Sequence, residues 1–202
     1  MIYEVAIIVR PEVNDEQLKT IRNIVHENIE SVKGTVLIND DWGTMHFGQD
    51  MGRGIKRGRY LYCMYKSNGT INAEINRKLS IDENVIRFLI VNLGTERDEA
   101  AIVKSYANPL NQNSDVAGDE EMEKDRRMSS KRRSCWFSAN KTTPDWKNPR
   151  SYSWLVNEFG KISPARVSGL RPHYQRLSNH AIKRGRFMGL VSHLSGNTAY
   201  RA

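Results

Sequence analysis

The chain has 202 residues, 39% of them hydrophobic, and carries a formal charge of +8 with a pI near 9.6. That length fits one large domain or two small ones, and two halves would each be marginal and profit from a partner. No run of eighteen apolar residues occurs, so no helical membrane span is expected. The only cysteines, Cys63 and Cys135, form no C-x-x-C pair, which excludes a cysteine-rich zinc site and argues for a reducing compartment.

The charge is unevenly spread. Residues 1–95 hold 12 Lys and Arg against 12 Asp and Glu, residues 96–130 hold 5 against 9, and residues 131–202 hold 14 against 2. This predicts three parts: a neutral domain over 1–95, an acidic mobile linker over 96–130 and a basic module over 131–202.

Ile2 to Val9 is a near-continuous apolar run ended by Arg10-Pro11, which suits a central strand that opens the fold rather than a targeting segment. Asn14 is placed to cap a helix whose apolar face is Leu18, Ile21, Val25, Ile29 and Val32, stopped by Gly34. Thr35–Phe47 and Arg57–Lys66 read as strands. Ile71, Ile75 and Leu79 form a second helical stripe, and Val85–Leu93 a last strand. The order β-α-β-β-α-β predicts an α+β, ferredoxin-like sandwich with both helices on one sheet face.

Tyr3-Glu4, the Ile-Val-Arg-Pro of residues 8–11, Asp41-Trp42-Gly43, Gly58-Arg59-Tyr60 and the string Asp82 to Leu89 resemble bacterial small-subunit ribosomal protein six over roughly residues 1–94. Past Trp42-Gly43, Met45-His46-Phe47-Gly48-Gln49 replaces the basic residues usual there. The resemblance therefore shifts the RNA-facing role to Arg53, Lys56, Arg57 and Arg59, with Arg87 inside the matching string as a further candidate.

In the last third, Lys131-Arg132-Arg133 leads into Cys135-Trp136-Phe137, followed by Asp145-Trp146-Lys147. A short helix is expected through Trp154, Val156 and Phe159, then an extended piece over Ala165–Gly169. A second helix begins around Pro172, with Tyr174, Leu177, Ala181 and Met188 inward and Arg176, Asn179, Lys183 and Arg186 outward, flanked by Arg184. Such a face is also that of an ordinary solvated helix. Its setting, basic and interleaved with aromatic rings, favours phosphate contacts and stacking on exposed bases.

Gly160-Lys161-Ile162, Pro164, Arg166, Gly169, Gln175-Arg176 and Ala181-Ile182-Lys183-Arg184-Gly185-Arg186 are similar to bacterial small-subunit ribosomal protein eighteen, over about residues 131–191. Ser163, Ser178 and Ala165 depart from that pattern. The resemblance implies RNA contacts at Lys131, Arg132, Arg133, Lys161, Arg166, Arg176, Lys183, Arg184 and Arg186. Families six and eighteen pair before binding the central domain of small-subunit ribosomal RNA, on the platform. Together they imply a natural or engineered fusion, with intramolecular packing of the two modules and neighbouring small-subunit ribosomal proteins as further partners. The setting is the cytoplasmic ribosome of a bacterium, or alternatively that of a mitochondrion. The other reading is an extra-ribosomal RNA-binding regulator built from the same modules.

Catalytic chemistry is not expected. Asp40 and Asp41 alternate to opposite strand faces and cannot share a metal with His46. There is no G-x-x-x-x-G-K-[ST] loop and no nucleophile-base set. The expectation is a non-enzyme without cofactor or metal.

Overall fold

The computed structural model describes residues 1–52, 54–109, 135–194 and 198–201. They fall into two units. The first gathers Met1–His46, Met51–Ala107 and the last strand; the second gathers Phe47–Asp50 and the described residues from Asn108 to Ala199.

The first unit opens with β1 (Ile2–Val9), every residue of which is buried. A nearly continuous apolar run suits this strand because it lies between two neighbours, and its one carboxylate, Glu4, accepts the Tyr62 hydroxyl at 2.8 Å. α1 (Asp15–Ser31) follows, with the Asn14 N–H donating to Gln17 Oε1 at 3.1 Å to close its first turn. β2 (Thr35–His46), β3 (Arg57–Lys66), α2 (Asn72–Ile81) and β4 (Val85–Gly94) complete the predicted β-α-β-β-α-β order. The strands lie as β4-β1-β3-β2, with every described pairing antiparallel. Leu18, Ile21, Val25 and Ile29 of α1 and Ile75 and Leu79 of α2 pack on Val5, Ile7, Leu61, Cys63 and Tyr65, so both helices share one sheet face. The other face carries Ile2, Ala6, Ile8, Trp42, Tyr60, Tyr62 and Met64, which are also buried. It is a second apolar face, where a two-layer sandwich open to water would alternate to polar residues.

Three details differ from the sequence reading. α1 does not stop at Gly34: Lys33 takes the left-handed conformation (φ 56), and Gly34 N–H closes back onto the Ile29 carbonyl at 2.9 Å. β5 (Tyr200–Arg201) adds to the sheet edge by pairing with His46 and Met45, a long-range pairing that no local pattern announces. The stretch read as linker from residue 96 is ordered at its start. Glu96–Asp98 forms a 3-10 turn and α3 spans Glu99–Ser105. Tyr106 then stacks on Tyr62 (4.7 Å between centroids) and donates its hydroxyl to Asp40 at 2.6 Å. One aromatic finding a carboxylate on β2 outweighs the polar composition around it. The rest of the predicted linker, from residue 110, lies outside the described residues, as do Arg53, Lys131, Arg132 and Arg133.

The second unit is built of short pieces. α4 (Trp136–Ala139) and 3-10 turns at Pro149–Ser151 and Ser153–Leu155 precede α5 (Ala165–Ser168) and α6 (Pro172–Phe187). The helix expected through Trp154 and Phe159 is replaced by the 3-10 turn and a small hairpin, in which Val156 bridges Ile162. Ala165–Gly169 is a helical turn rather than an extended piece, because Pro164 opens it and a left-handed Gly169 closes it. Phe137, Tyr152, Leu155, Ala181, Ile182, Met188, Leu190 and Val191 are buried here. Phe47–Asp50 belongs to this unit: Gly48 N–H donates to the Gly189 carbonyl at 2.8 Å and His193 N–H to Gln49 Oε1 at 2.8 Å.

Candidate nucleic-acid interface

α6 is turned by roughly half a residue step from the predicted wheel. Its buried residues are Ser178, Ala181, Ile182 and Gly185, while Leu177 and Tyr174 are only half-buried. One contact on the buried side is sterically demanding. The Tyr152 hydroxyl, donating to the Trp146 carbonyl at 2.9 Å, lies where a Cβ on Gly185 would stand. Only glycine fits there, next to Ala181 on the inward side. The outward row becomes Arg176, His180, Lys183 and Phe187, all exposed, at spacings of 4, 3 and 4.

This corrects the expectation for Arg186, which is half-buried rather than turned fully to solvent. Its guanidinium donates to the Gly160 carbonyl, and partial burial lowers its pKa from the ordinary value. Arg184 is half-buried as well. Lys161 and Arg166 are exposed as expected, on the hairpin and on α5. Gln175 fixes those pieces to α6: its Nε2 donates to the Ser163 carbonyl at 3.0 Å and its Oε1 accepts the Ser168 hydroxyl at 3.1 Å. Lys141, Arg150 and Arg171 are also exposed and were not nominated, since they lie outside the motif strings. Lys147 is withdrawn from the surface, its Nζ 3.0 Å from Asp145 and 5.5 Å from the Trp146 ring centre. Over residues 135–194, seven Lys or Arg are exposed against one exposed carboxylate, Glu158. That imbalance is the charge pattern expected of a surface that meets a polyanion.

The first unit presents less. Lys56 and Arg57 are exposed beside the β2–β3 connection. Arg59 is engaged internally, 2.9 Å from Asp41 and 3.5 Å from Asp15, and Asp41 also takes Arg22 at 2.7 Å. Two guanidiniums on one carboxylate knit α1 to the sheet. Arg59 is therefore not the open cation the sequence suggested. Arg87 is half-buried on β4 opposite Ile8. Asp40 points the other way from Asp41, to Tyr106, whose phenol is pushed up first by burial and then by that carboxylate. Among the described residues no three His, Cys, Asp or Glu side chains converge as metal ligands, and no helix is long and apolar enough to cross a membrane.

Comparison with known proteins gives two families in chain order. The family model for Ribosomal protein S6 matches residues 2–92 and that for Ribosomal protein S18 matches residues 140–191. Small ribosomal subunit protein bS6 of Trichlorobacter lovleyi is 34% identical over 97 residues, 48% of this chain and 79% of that protein. The bS6 of Citrifermentans bemidjiense is 36% identical over 105 residues, 51% of this chain and 78% of that protein. A crystal structure of 30S ribosomal protein S6 from Thermotoga maritima aligns with a TM-score of 0.44 at 21% identity, covering 50% of this chain and 95% of that one. The chain belongs to the ribosomal protein S6 family and carries a ribosomal protein S18 segment in the same polypeptide, a fusion of two structural, non-catalytic components of the small ribosomal subunit.

Proposed function

We propose that this chain binds the central domain of small-subunit ribosomal RNA, at the platform, as a covalently linked pair of modules in a bacterial-type ribosome. The observation that carries the reading is the exposed row Arg176–Lys183 of α6 with Lys161 and Arg166 beside it, almost free of carboxylates. Exposed cations on short, mutually bonded elements suit phosphate contacts, which supply most of the affinity and its salt dependence. Lys56 and Arg57 of the first unit are proposed as secondary contacts, as are Lys131, Arg132 and Arg133. The two units are proposed to pack on each other in one chain. The apolar second face of the sheet supports this, because Ile2, Ile8, Tyr60 and Met64 are buried there and would form an apolar patch on a four-stranded sandwich left uncovered on that side. The acidic residues between them act as a tether, turning association into an intramolecular step at an effective concentration on the order of mM.

The test replaces Lys161, Arg166, Arg176 and Lys183 together with alanine and measures affinity for a central-domain transcript across a salt series. Each lost phosphate contact removes about 0.7–0.9 from the slope of log affinity against log salt. The quadruple variant should flatten the slope by about 3. An unchanged slope at unchanged affinity removes the proposed interface.

A further inference from the structure

We propose that the hairpin turn Asn157–Lys161 is a preformed stacking platform, on which an unpaired RNA nucleotide lays its base against Phe159 with its phosphate near Lys161 and Lys183. The proposal rests on the RNA-binding reading above and specifies which part of an RNA this corner takes.

Phe159 is 76% exposed, so its ring contributes little to the core. The backbone beneath it is nonetheless tightly held. Asn157 Oδ1 accepts the N–H of Phe159 at 3.0 Å and of Lys161 at 2.7 Å. Asn157 N–H donates to the Lys161 carbonyl at 2.9 Å, and Gly160 N–H to the Asn157 carbonyl at 2.9 Å. Gly160 has φ 71 and lies so close to the His193 carbonyl that a Cβ would collide with it, while Arg186 holds the Gly160 carbonyl from α6. A ring on a fixed backbone has two side-chain torsions to lose on binding, so little ordering entropy opposes stacking.

The surroundings are apolar and basic together. The Arg186 contact brings the turn to the C-terminal end of α6, where Phe187 is 44% exposed and Lys183 is also exposed. His193, against Gly160, is followed by Leu194 at 84% exposure. Exposed aromatic and aliphatic groups among lysines match the two halves of an unpaired nucleotide, a π-face and a phosphate. A duplex hides its base faces and leaves such rings without a partner. A protein partner would also cover apolar groups, but lysines are depleted where proteins meet, and here they frame the patch.

The full chain would be titrated with a labelled transcript of the central domain of small-subunit ribosomal RNA. Phe159→Ala should weaken binding about five- to hundredfold, the range for removing one base-stacking ring, with Tm unchanged. Phe159→Leu should weaken it comparably, and Phe159→Trp should keep affinity and add fluorescence that RNA quenches. A Phe159→Ala chain that binds like the parent while Lys183→Ala weakens binding overturns the platform and leaves the RNA-binding reading in place. If neither change alters affinity, both fall. Full binding by Phe159→Leu with loss in Phe159→Ala indicates generic apolar docking and overturns stacking.

Discussion

Lys183 and Arg186 stand one turn apart on α6 and do different things. Lys183 is exposed, whereas Arg186 reaches back to the Gly160 carbonyl and is half-buried. Lys183→Ala and Arg166→Ala should therefore reduce RNA affinity with Tm unchanged. Arg186→Ala should lower stability, because it strands a carbonyl and unclamps the turn; losing such a bond costs about 1–3 kcal/mol. Thermal melts beside RNA titrations of the three variants check this, and an Arg186→Ala chain as stable as the parent contradicts the clamp. The sequence named all three positions from their motif strings but could not sort them. A guanidinium and an ammonium at helical spacing look alike in a string. Only the position of Gly160, 26 residues away, makes one of them a brace. Arg59 is the same case, since its carboxylates Asp41 and Asp15 come from two other elements.

The elements of the first unit were legible because their apolar periods are clean: Leu18, Ile21, Val25 and Ile29 are all buried, and β1 is apolar apart from Glu4. α6 was legible as a helix but not in its orientation. Ser178 and Ile182 face the interior, and the predicted stripe of Tyr174, Leu177, Ala181 and Met188 includes neither. Ile182→Ala should therefore cost about 2–5 kcal/mol, as core truncations do, and Leu177→Ala distinctly less because that side chain is only half-buried. Chemical denaturation of both variants decides, and a larger loss for Leu177→Ala restores the wheel as first drawn. α3 and Tyr106 went unread for a different reason. Their anchors, Asp40 and Trp42, are 66 and 64 residues away, and seven helical residues set in an acidic stretch carry no period of their own.

For the whole molecule, the jump from net-neutral to strongly basic composition marks off an S6-like half from an S18-like half in the sequence itself. The chain path was less legible: Phe47–Asp50 joins the second unit and Tyr200–Arg201 the first, exchanges that composition cannot encode. If the units pack on each other as proposed, limited proteolysis should cut within the acidic residues 108–128 and leave two fragments that co-elute at micromolar concentration. Fragments that separate on sizing contradict the packing. The central claim, a fused structural component of the small subunit, is tested most directly by sedimenting ribosomes from the native source through a high-salt gradient and quantifying the chain across fractions. The account predicts that it peaks with the small subunit at about one copy per particle, whereas a chain left at the top of the gradient, or present on only a small fraction of particles, would contradict it.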